Sequence, residues 1–398
     1  MVFVAGLLLI PLGVWRERRR AAAGHTASRP TWPVIDLSRA TVRRTALVIA
    51  VLTCVNIVLV ATASFKAVKY AESREFCTGA CHTPMEPQSI ANRSTVHAAV
   101  SCAGCHIGPG APGFVRAKWG GVRQLAGVVM NSHPRPVPSP VHNRPSAAGT
   151  CGRCHASDAF VGDVVKQIKT YADDEASTES ATTVTLQVGG GADARSPQIH
   201  WHASSTTRIE YIATDAKRGT IPWVRVTDRT GQVREYTVDG VSAEALAQGE
   251  RRTMDCTDCH NRQGHAMAAS PESAVDQAIE KGLLPAALPY ARRETVAAVR
   301  DDTRDVARAE KEIAERLGAF YAQTYPNLSR DARVAQALAS AQQIYRSNVF
   351  PAMRVRWGTY PSQLGHTEAP GCFRCHDDLH KTAGGLVISQ DCQRYHRM

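Results

Sequence analysis

Five cysteine pairs, each followed directly by a histidine, constrain this 398-residue chain more than any other feature of its sequence. Two thiols at this spacing can reach both vinyl groups of one porphyrin, and the adjacent histidine can ligate its iron. The pattern therefore predicts five covalently bound haems c. The five motifs are Cys77-Thr-Gly-Ala-Cys81-His82, which has one extra residue between its thiols, then Cys102-Ala-Gly-Cys105-His106, Cys151-Gly-Arg-Cys154-His155, Cys256-Thr-Asp-Cys259-His260 and Cys372-Phe-Arg-Cys375-His376.

Three other kinds of site use paired cysteines, and each fits this pattern less well. Zinc sites assemble four ligands and do not need an adjacent histidine. A thioredoxin-like dithiol is single and lies in a βαβ pattern. Disulfide pairing would not place a histidine after every second cysteine. Chance gives on the order of 0.01–0.02 matches to the motif in a chain of this length, so the repeated motif indicates haem attachment.

The C-terminus carries a sixth, altered copy of the motif, Cys392-Gln-Arg-Tyr395-His396. Tyr395 stands in the place of the second cysteine, and a phenol cannot form a thioether. Either one thioether holds a haem there, or the site is vestigial and empty. Because the chain ends two residues later, we expect the site to be empty.

The positive charge of the chain, +11 in total, is concentrated near the N-terminus. Residues 15–44 contain eight arginines against Glu17 and Asp36, which accounts for more than half of the net charge. Each haem c also brings two propionates that offset the remaining positive charge. The charge therefore indicates membrane topology, and we expect no binding of nucleic acid.

Residues 46–65 form a run of twenty residues without a charge, enough for a membrane-spanning helix. The arginine-rich stretch before it fits the cytoplasmic side, because positive residues near the ends of spans stay inside. We therefore predict a bacterial inner-membrane protein with residues 70–398 in the periplasm. A buried core helix is the alternative, and Cys54 within the run is interpreted as a small apolar residue. The apolar run at 1–15 is short for a span, and we expect it to be the end of one that begins upstream.

Nine histidines remain as second axial ligands for five haems, and an electron-transfer haem usually has a second strong ligand. His366 is the best local candidate for the fifth motif. His200 and His202 would face one side of a strand, and one of them is a candidate for the second or fifth haem. Surplus histidines would lie on the surface, with His133 and His380 as examples. The nine are His97, His133, His142, His200, His202, His265, His366, His380 and His396.

The order of these motifs resembles the NapC/NirT family of membrane-anchored quinol dehydrogenases over residues 70–165 and 250–268. The matching features are a membrane helix before the first motif, His82-Thr-Pro-Met85, Ser94-Thr-Val-His97, and His260 followed by His265. The resemblance implies that Met85 ligates the first haem and Lys118 the second. It also implies that His265 ligates the third haem and His97 the fourth.

The same resemblance implies a function, oxidation of menaquinol or ubiquinol and electron transfer to a periplasmic cytochrome or reductase. An oligomer is one state that the sequence leaves open. In that family the segment 106–131 lines the quinol site as a helix beside the membrane, which makes Lys118 the catalytic candidate. Leu125 stands where an acidic residue is expected. Without the resemblance, Arg116, Lys118 and Arg123 would form a basic face towards lipid headgroups. The alternatives are an electron-transfer subunit without a quinol site and a catalytic multihaem reductase.

The predicted fold is mainly α, with little regular structure around the haems. Alternating patterns at 182–188, 207–214, 222–228 and 232–238 predict strands in an insert, and Ile313, Leu317, Phe320 and Tyr321 predict the buried face of a helix. Pro289 and Pro326 are the expected helix breaks. The predicted segments are a short or truncated apolar segment (1–15), a basic cytoplasmic loop (16–44), a transmembrane helix (45–69), the first part of a tetrahaem core (70–161), a β-rich insert (162–249), the second part of the core (250–268), a helical region (269–360) and a fifth-haem arm (361–398).

Overall fold

The computed structural model describes residues 13–16, 18–19, 36–141, 145–156, 162–190 and 198–397. Residues 1–12 of the predicted apolar segment, most of the basic loop and His142 therefore lie outside the described residues. The chain divides into two compact units, Met1–Glu72 and Ser73–Met398. All the haem motifs belong to the second unit.

The first unit contains one long helix, α1 (Ala40–Ala71), of 32 residues. Its most apolar 18 residues have a mean hydropathy of 2.6 and none of them is buried. Among the described residues, this is the helix that is long and apolar enough to cross a membrane. Arg43 and Arg44 lie in its first turns and Lys69 in its last. The helix covers the predicted span at 45–69 and extends beyond it at both ends.

Short helices carry the first part of the haem core in the second unit. Serines cap three of them through their hydroxyls: Ser73 accepts from the backbone N–H of Phe76, Ser101 from Gly104 and Ser146 from Gly149. The helices are α2 (Arg74–Gly79), α3 (His82–Arg93), α4 (Cys102–His106), α5 (Gly110–Val129) and α6 (Ala147–Thr150), with a 3₁₀ turn at Cys151–Arg153.

Two antiparallel sheets follow. The strands are β1 (Val164–Tyr171), β2 (Glu179–Leu186), β3 (Arg208–Ala213), β4 (Trp223–Thr227), β5 (Val233–Val238), β6 (Glu250–Thr253), β7 (His380–Lys381) and β8 (His396–Arg397). One sheet has the order β1-β2-β8 and the other β6-β3-β4-β5-β7. The four predicted strands correspond to β2–β5. The insert is not closed on itself, because β6, β7 and β8 complete its sheets from elsewhere in the chain.

A cluster of helices forms the largest apolar core of the second unit. Its members are α9 (Pro271–Glu280), α10 (Ala291–Val299), α11 (Val306–Thr324) and α12 (Ala332–Asn348); α7 (Ala243–Gln248) and α8 (Cys256–Cys259) precede them. Ile313, Leu317 and Tyr321 are at most 1% exposed, as their helical spacing predicts, while Phe320 packs at the edge of the core. Pro289 lies in the loop between α9 and α10, and Pro326 begins a 3₁₀ turn (Pro326–Leu328) between α11 and α12, so both prolines fall between α-helices as expected.

Helices dominate the described chain, so the prediction of a mainly α fold is confirmed. His200 and His202 do not lie in a strand, because Ile199–Ala203 is a 3₁₀ turn. In that turn the two histidines do not share one face as they would in a strand. His200 instead approaches the ring of His260, and His202 approaches the ring of His376.

Candidate haem-binding sites

The Cys–His motifs lie in or next to short helical turns, and residues just before several of them cap these turns. The fourth motif shows this most clearly, because Asp255 immediately before it caps α8. Asp255 accepts from the backbone N–H of Thr257 at 2.8 Å, and Asp258 accepts from the N–H of Asp255 at 2.7 Å. This capping box fixes the turn that carries both thiols.

Pairs of imidazoles from distant parts of the chain face each other across a constant distance. An imidazole nitrogen ligates a metal at about 2 Å, so two rings on opposite faces of one iron have centroids about 6 Å apart. In the described part of the chain, four motif histidines have a partner ring at 5.9–6.2 Å. The pairs are His106–His265, His155–His97, His260–His200 and His376–His202. These residues fit a haem held between two histidines.

The hydrogen bonds of these rings support the same interpretation. A histidine that ligates a metal usually donates its other ring N–H to a carbonyl, which fixes the tautomer and the orientation of the ring. The Nδ1 atom of His265 lies 3.0 Å from the Gln88 carbonyl, and that of His202 lies 2.8 Å from the Ile199 carbonyl. Nδ1 of His376 contacts the Ser389 carbonyl in the same way, at 2.8 Å. The Nε2 atom of each ring is thereby left as the ligand.

Burial favours the neutral form of His202, His260 and His265. Desolvation lowers the pKa of His202 to about 4, and it lowers the pKa of His265 to about 4 as well. The pKa of His260 is also lowered, first by burial and then by the nearby His200 and His155. A neutral imidazole has the free lone pair that a metal ligand needs.

A comparison with curated proteins identifies the family. The chain is 35% identical over 404 residues to the cytochrome c-type protein ImcH of Geobacter sulfurreducens, and the match covers 100% of this chain and 79% of that protein. The chain belongs to the multihaem c-type cytochromes. With α1, it is a membrane-anchored cytochrome that binds haem c covalently and transfers electrons.

Two further comparisons found nothing. No family model matches the chain, and no solved structure matches it. The narrower resemblance to the NapC/NirT family therefore stays a prediction for this cytochrome, as do the number of haems and the role of each site residue.

The structure pairs the distal histidines differently from the resemblance. His265, expected opposite the third motif, lies opposite His106 of the second. His97, expected at the fourth motif, lies opposite His155 of the third. The physical reason lies in the long insert, whose His200 takes the place opposite His260.

The fifth motif also has a partner other than the expected one. His202 lies 5.9 Å from His376 in centroid distance. His366, the local candidate, lies 6.0 Å from His396 of the altered sixth motif. His366 therefore stays a prediction for the fifth motif. Closeness in sequence favours it, whereas the turn at Ile199–Ala203 brings His202 to His376.

The first motif is arranged around α3. His82 and Met85 lie one turn apart on this helix, with His82 exposed and Met85 partly buried. Lys118 lies on α5 with its Nζ atom 5.1 Å from the centroid of the Phe114 ring. A hydrogen bond with Cys102 is the main cause that raises the pKa of Cys77, and the charge of Lys118 opposes it. Lys118 and the first two motifs are therefore neighbours, although the structure places His265 opposite His106.

A buried polar network joining the fourth and fifth motifs was not foreseen from the sequence. Arg374, inside the fifth motif, donates to three carbonyls: Gly371 at 2.8 Å, Arg218 at 3.1 Å and Asp258 at 2.6 Å. The Asp258 carboxylate accepts from Tyr211 Oη and carries ion pairs with arginines. The only sequence signal was an arginine between two motif cysteines, and such a residue is ordinarily exposed.

His380 shows what a structural histidine looks like in the same region. It was expected on the surface but is 1% exposed. Its Nδ1 atom lies 2.9 Å from Asp377 Oδ1 and its Nε2 atom 2.6 Å from the Ile221 carbonyl. Both nitrogens are occupied by protein oxygens, so this ring has no atom left for a metal.

Proposed function

We propose that this cytochrome oxidises quinol in the membrane and passes the electrons through its haem sites to a periplasmic acceptor. Electron transfer by a membrane-anchored multihaem cytochrome follows from the family. The quinol, the orientation and the acceptor are the parts proposed here. The proposal includes one haem at each of the five complete motifs.

The single observation that carries the proposal is the pairing of four motif histidines with a second histidine. A haem supplies one-electron chemistry, and an iron with two strong protein ligands has no open position for a substrate. Residues that close both faces therefore favour electron transfer over catalysis at the iron. This disfavours a catalytic multihaem reductase among the alternatives.

The sites are also connected to one another through the second unit. The Cys77 and Cys102 side chains lie close enough to interact, so the first and second motifs are neighbours. The segment 263–265 joins the second and third, because His97 Nδ1 contacts the Gln263 carbonyl at 3.3 Å while His265 faces His106. Arg374 joins the fourth and fifth motifs. His155 of the third motif is close enough to His260 of the fourth to lower its pKa. Together these contacts support a series of neighbouring sites, as electron transfer over a distance requires.

Helix α5 supports a quinol site near the first motif. Trp119, Val122 and Val129 on this helix are 69%, 62% and 78% exposed, while Arg116, Lys118 and Arg123 supply positive charge. An apolar face with basic residues beside it is typical of a helix that lies in the membrane interface. Quinol resides in that layer, and we propose that the Lys118 amine hydrogen-bonds a quinol hydroxyl.

The test is haem reduction by a short-chain menaquinol analogue, using the full-length holoprotein in liposomes. The wild type is expected to be reduced. Lys118→Ala is expected to keep its haems but to react about tenfold more slowly, the rate equivalent of one lost hydrogen bond. The matched control is Lys217→Ala, which changes an exposed lysine in the loop between β3 and β4.

Dithionite reduces every haem without a quinol site, so equal dithionite reduction in all three proteins shows that the haem sites are intact. A wild type that dithionite reduces and quinol does not would overturn the proposal. It would leave an electron-transfer subunit that receives electrons from another membrane protein. Equal rates for both lysine variants would remove Lys118 from the site.

A further inference from the structure

The altered C-terminal motif has the backbone of a haem motif. Its 3₁₀ turn, Cys392–Arg394, matches the turns of the third and fifth motifs at Cys151–Arg153 and Gly371–Arg374. Tyr395 has φ −125° and ψ −9°, close to the −124° and −26° of Cys154 and to the −132° and −34° of Cys375. Tyr395 thus takes the conformation of the second motif cysteine.

The first thiol of this motif is positioned as in a complete motif. Asp391 precedes Cys392 and accepts from the backbone N–H of Gln393 at 3.0 Å. Asp255 makes the equivalent bond to Thr257 before the fourth motif, at 2.8 Å. Because Cys392 is exposed, its thiol is accessible for attachment.

His396 is held in place by strand pairing. It lies on β8 opposite Leu186 of β2, and the backbone N–H of Gln187 donates to the Tyr395 carbonyl at 3.0 Å. A C-terminal segment with no role would have no need of this register. The pairing fixes the backbone of His396 at the edge of the three-stranded sheet.

A second imidazole faces this ring. The centroids of His366 and His396 are 6.0 Å apart, the same separation as in the four pairs at the complete motifs. The ring of His366 stacks on Phe373 at 4.6 Å and 19°. Its backbone is fixed because Cys372 donates to the carbonyl of the preceding residue, Gly365, at 3.0 Å.

We propose that Cys392, His396 and His366 hold a sixth haem c, attached through a single thioether. The Cys392 thiol adds across one vinyl group: an Sγ–C bond forms, the thiol proton moves to the other vinyl carbon, and no group leaves. Tyr395 cannot add to the second vinyl group, which stays intact. The two imidazoles supply the axial ligands.

The position of the sixth site makes it the neighbour of the fifth. The Tyr395 ring lies 5.7 Å from the His376 ring and 6.2 Å from the His202 ring, so it packs against the fifth pair. The tyrosine that replaces the cysteine therefore lies beside the fifth pair, and the next residue, His396, belongs to the sixth site. This extends the series of sites by one position towards the C-terminus.

The first test counts covalent haems by mass spectrometry of the denatured full-length holoprotein. Six haems are expected in the wild type, and five would overturn the proposal. Cys392→Ala is expected to lose one haem. The matched control is Cys54→Ala, since Cys54 on α1 also lies outside the complete motifs; it is expected to keep six.

A second test measures the thioether attachment and the axial ligand of the sixth haem independently of the number of haems. In alkaline pyridine, Tyr395→Cys is expected to shift the haem absorption band to shorter wavelength at an unchanged count, because the second vinyl group becomes saturated. His366→Ala is expected to keep six haems while one becomes high-spin. An unchanged band in the first variant or unchanged spin in the second would contradict the proposal. Neither readout uses quinol, so the two proposals fail independently.

Discussion

At the scale of residues, the hydrogen bonds of a histidine separate ligands from structural rings. His202, His265 and His376 each donate Nδ1–H to a carbonyl and keep Nε2 for a metal. His380 gives both nitrogens to oxygen atoms of the protein. The sequence does not show which of these histidines are ligands and which are structural, but their hydrogen bonds do.

Replacement of His200 or His202 by alanine is expected to convert one haem to the high-spin state, because each variant loses one axial ligand. The number of covalent haems should not change, since the thioethers remain. His380→Asn is the control, and no haem should become high-spin. Low-temperature electron paramagnetic resonance measures the spin states. A high-spin signal in the control and none in the two variants would reverse the assignment.

Arg374→Met is expected to lower the free energy of unfolding by about 3 kcal/mol, because three buried carbonyls lose a charged donor. The fourth and fifth motifs should loosen together, since Arg374 connects them. Chemical denaturation of the holoprotein measures the loss. Arg330→Met, at an exposed position, is the control and should cost less than about 0.5 kcal/mol. Equal stabilities would show that the network contributes nothing.

The sequence predicted the motif cysteines and proximal histidines as candidates, because attachment chemistry is local and needs a fixed spacing. It did not predict the distal pairs. His200 and His260 are far apart in the chain and meet only after the insert has folded. Closeness in sequence, which suggested His366 for the fifth motif, carries no information about such a contact.

At the scale of elements, the helices α9–α12 supply the large apolar core that the haem motifs lack. Leu317→Ala is expected to cost about 3 kcal/mol of unfolding free energy, because this side chain is 0% exposed and leaves a cavity. Leu283→Ala, at 56% exposure, should cost below about 0.5 kcal/mol. Denaturant unfolding compares them. A small loss in both variants would mean that this cluster is not the stabilising core.

Elements with internal periodicity were predictable, and elements made by distant pairing were not. The spacing of Ile313, Leu317 and Tyr321 predicted the buried face of α11, and alternation predicted β2–β5. Strands β7 and β8 have two residues each, too few for a pattern. They exist because the C-terminal arm reaches the edges of both sheets.

At the scale of the whole molecule, the arginines at 16–44 predict which side of the membrane each unit occupies. Alkaline phosphatase is active only after export, so it reports on the side. A fusion after Met398 is expected to be active and a fusion within the basic loop at Arg29 inactive. The reverse pattern would place the haem sites in the cytoplasm and contradict the proposed orientation.

The central claim is that pairs of histidines close both faces of the haem sites. Near-infrared magnetic circular dichroism of the oxidised full-length protein distinguishes bis-histidine haems from histidine–methionine and high-spin haems. The four pairs at complete motifs and the His366–His396 pair predict five bis-histidine haems. A spectrum with fewer than four would contradict the structural pairing and, with it, the electron path proposed through these sites.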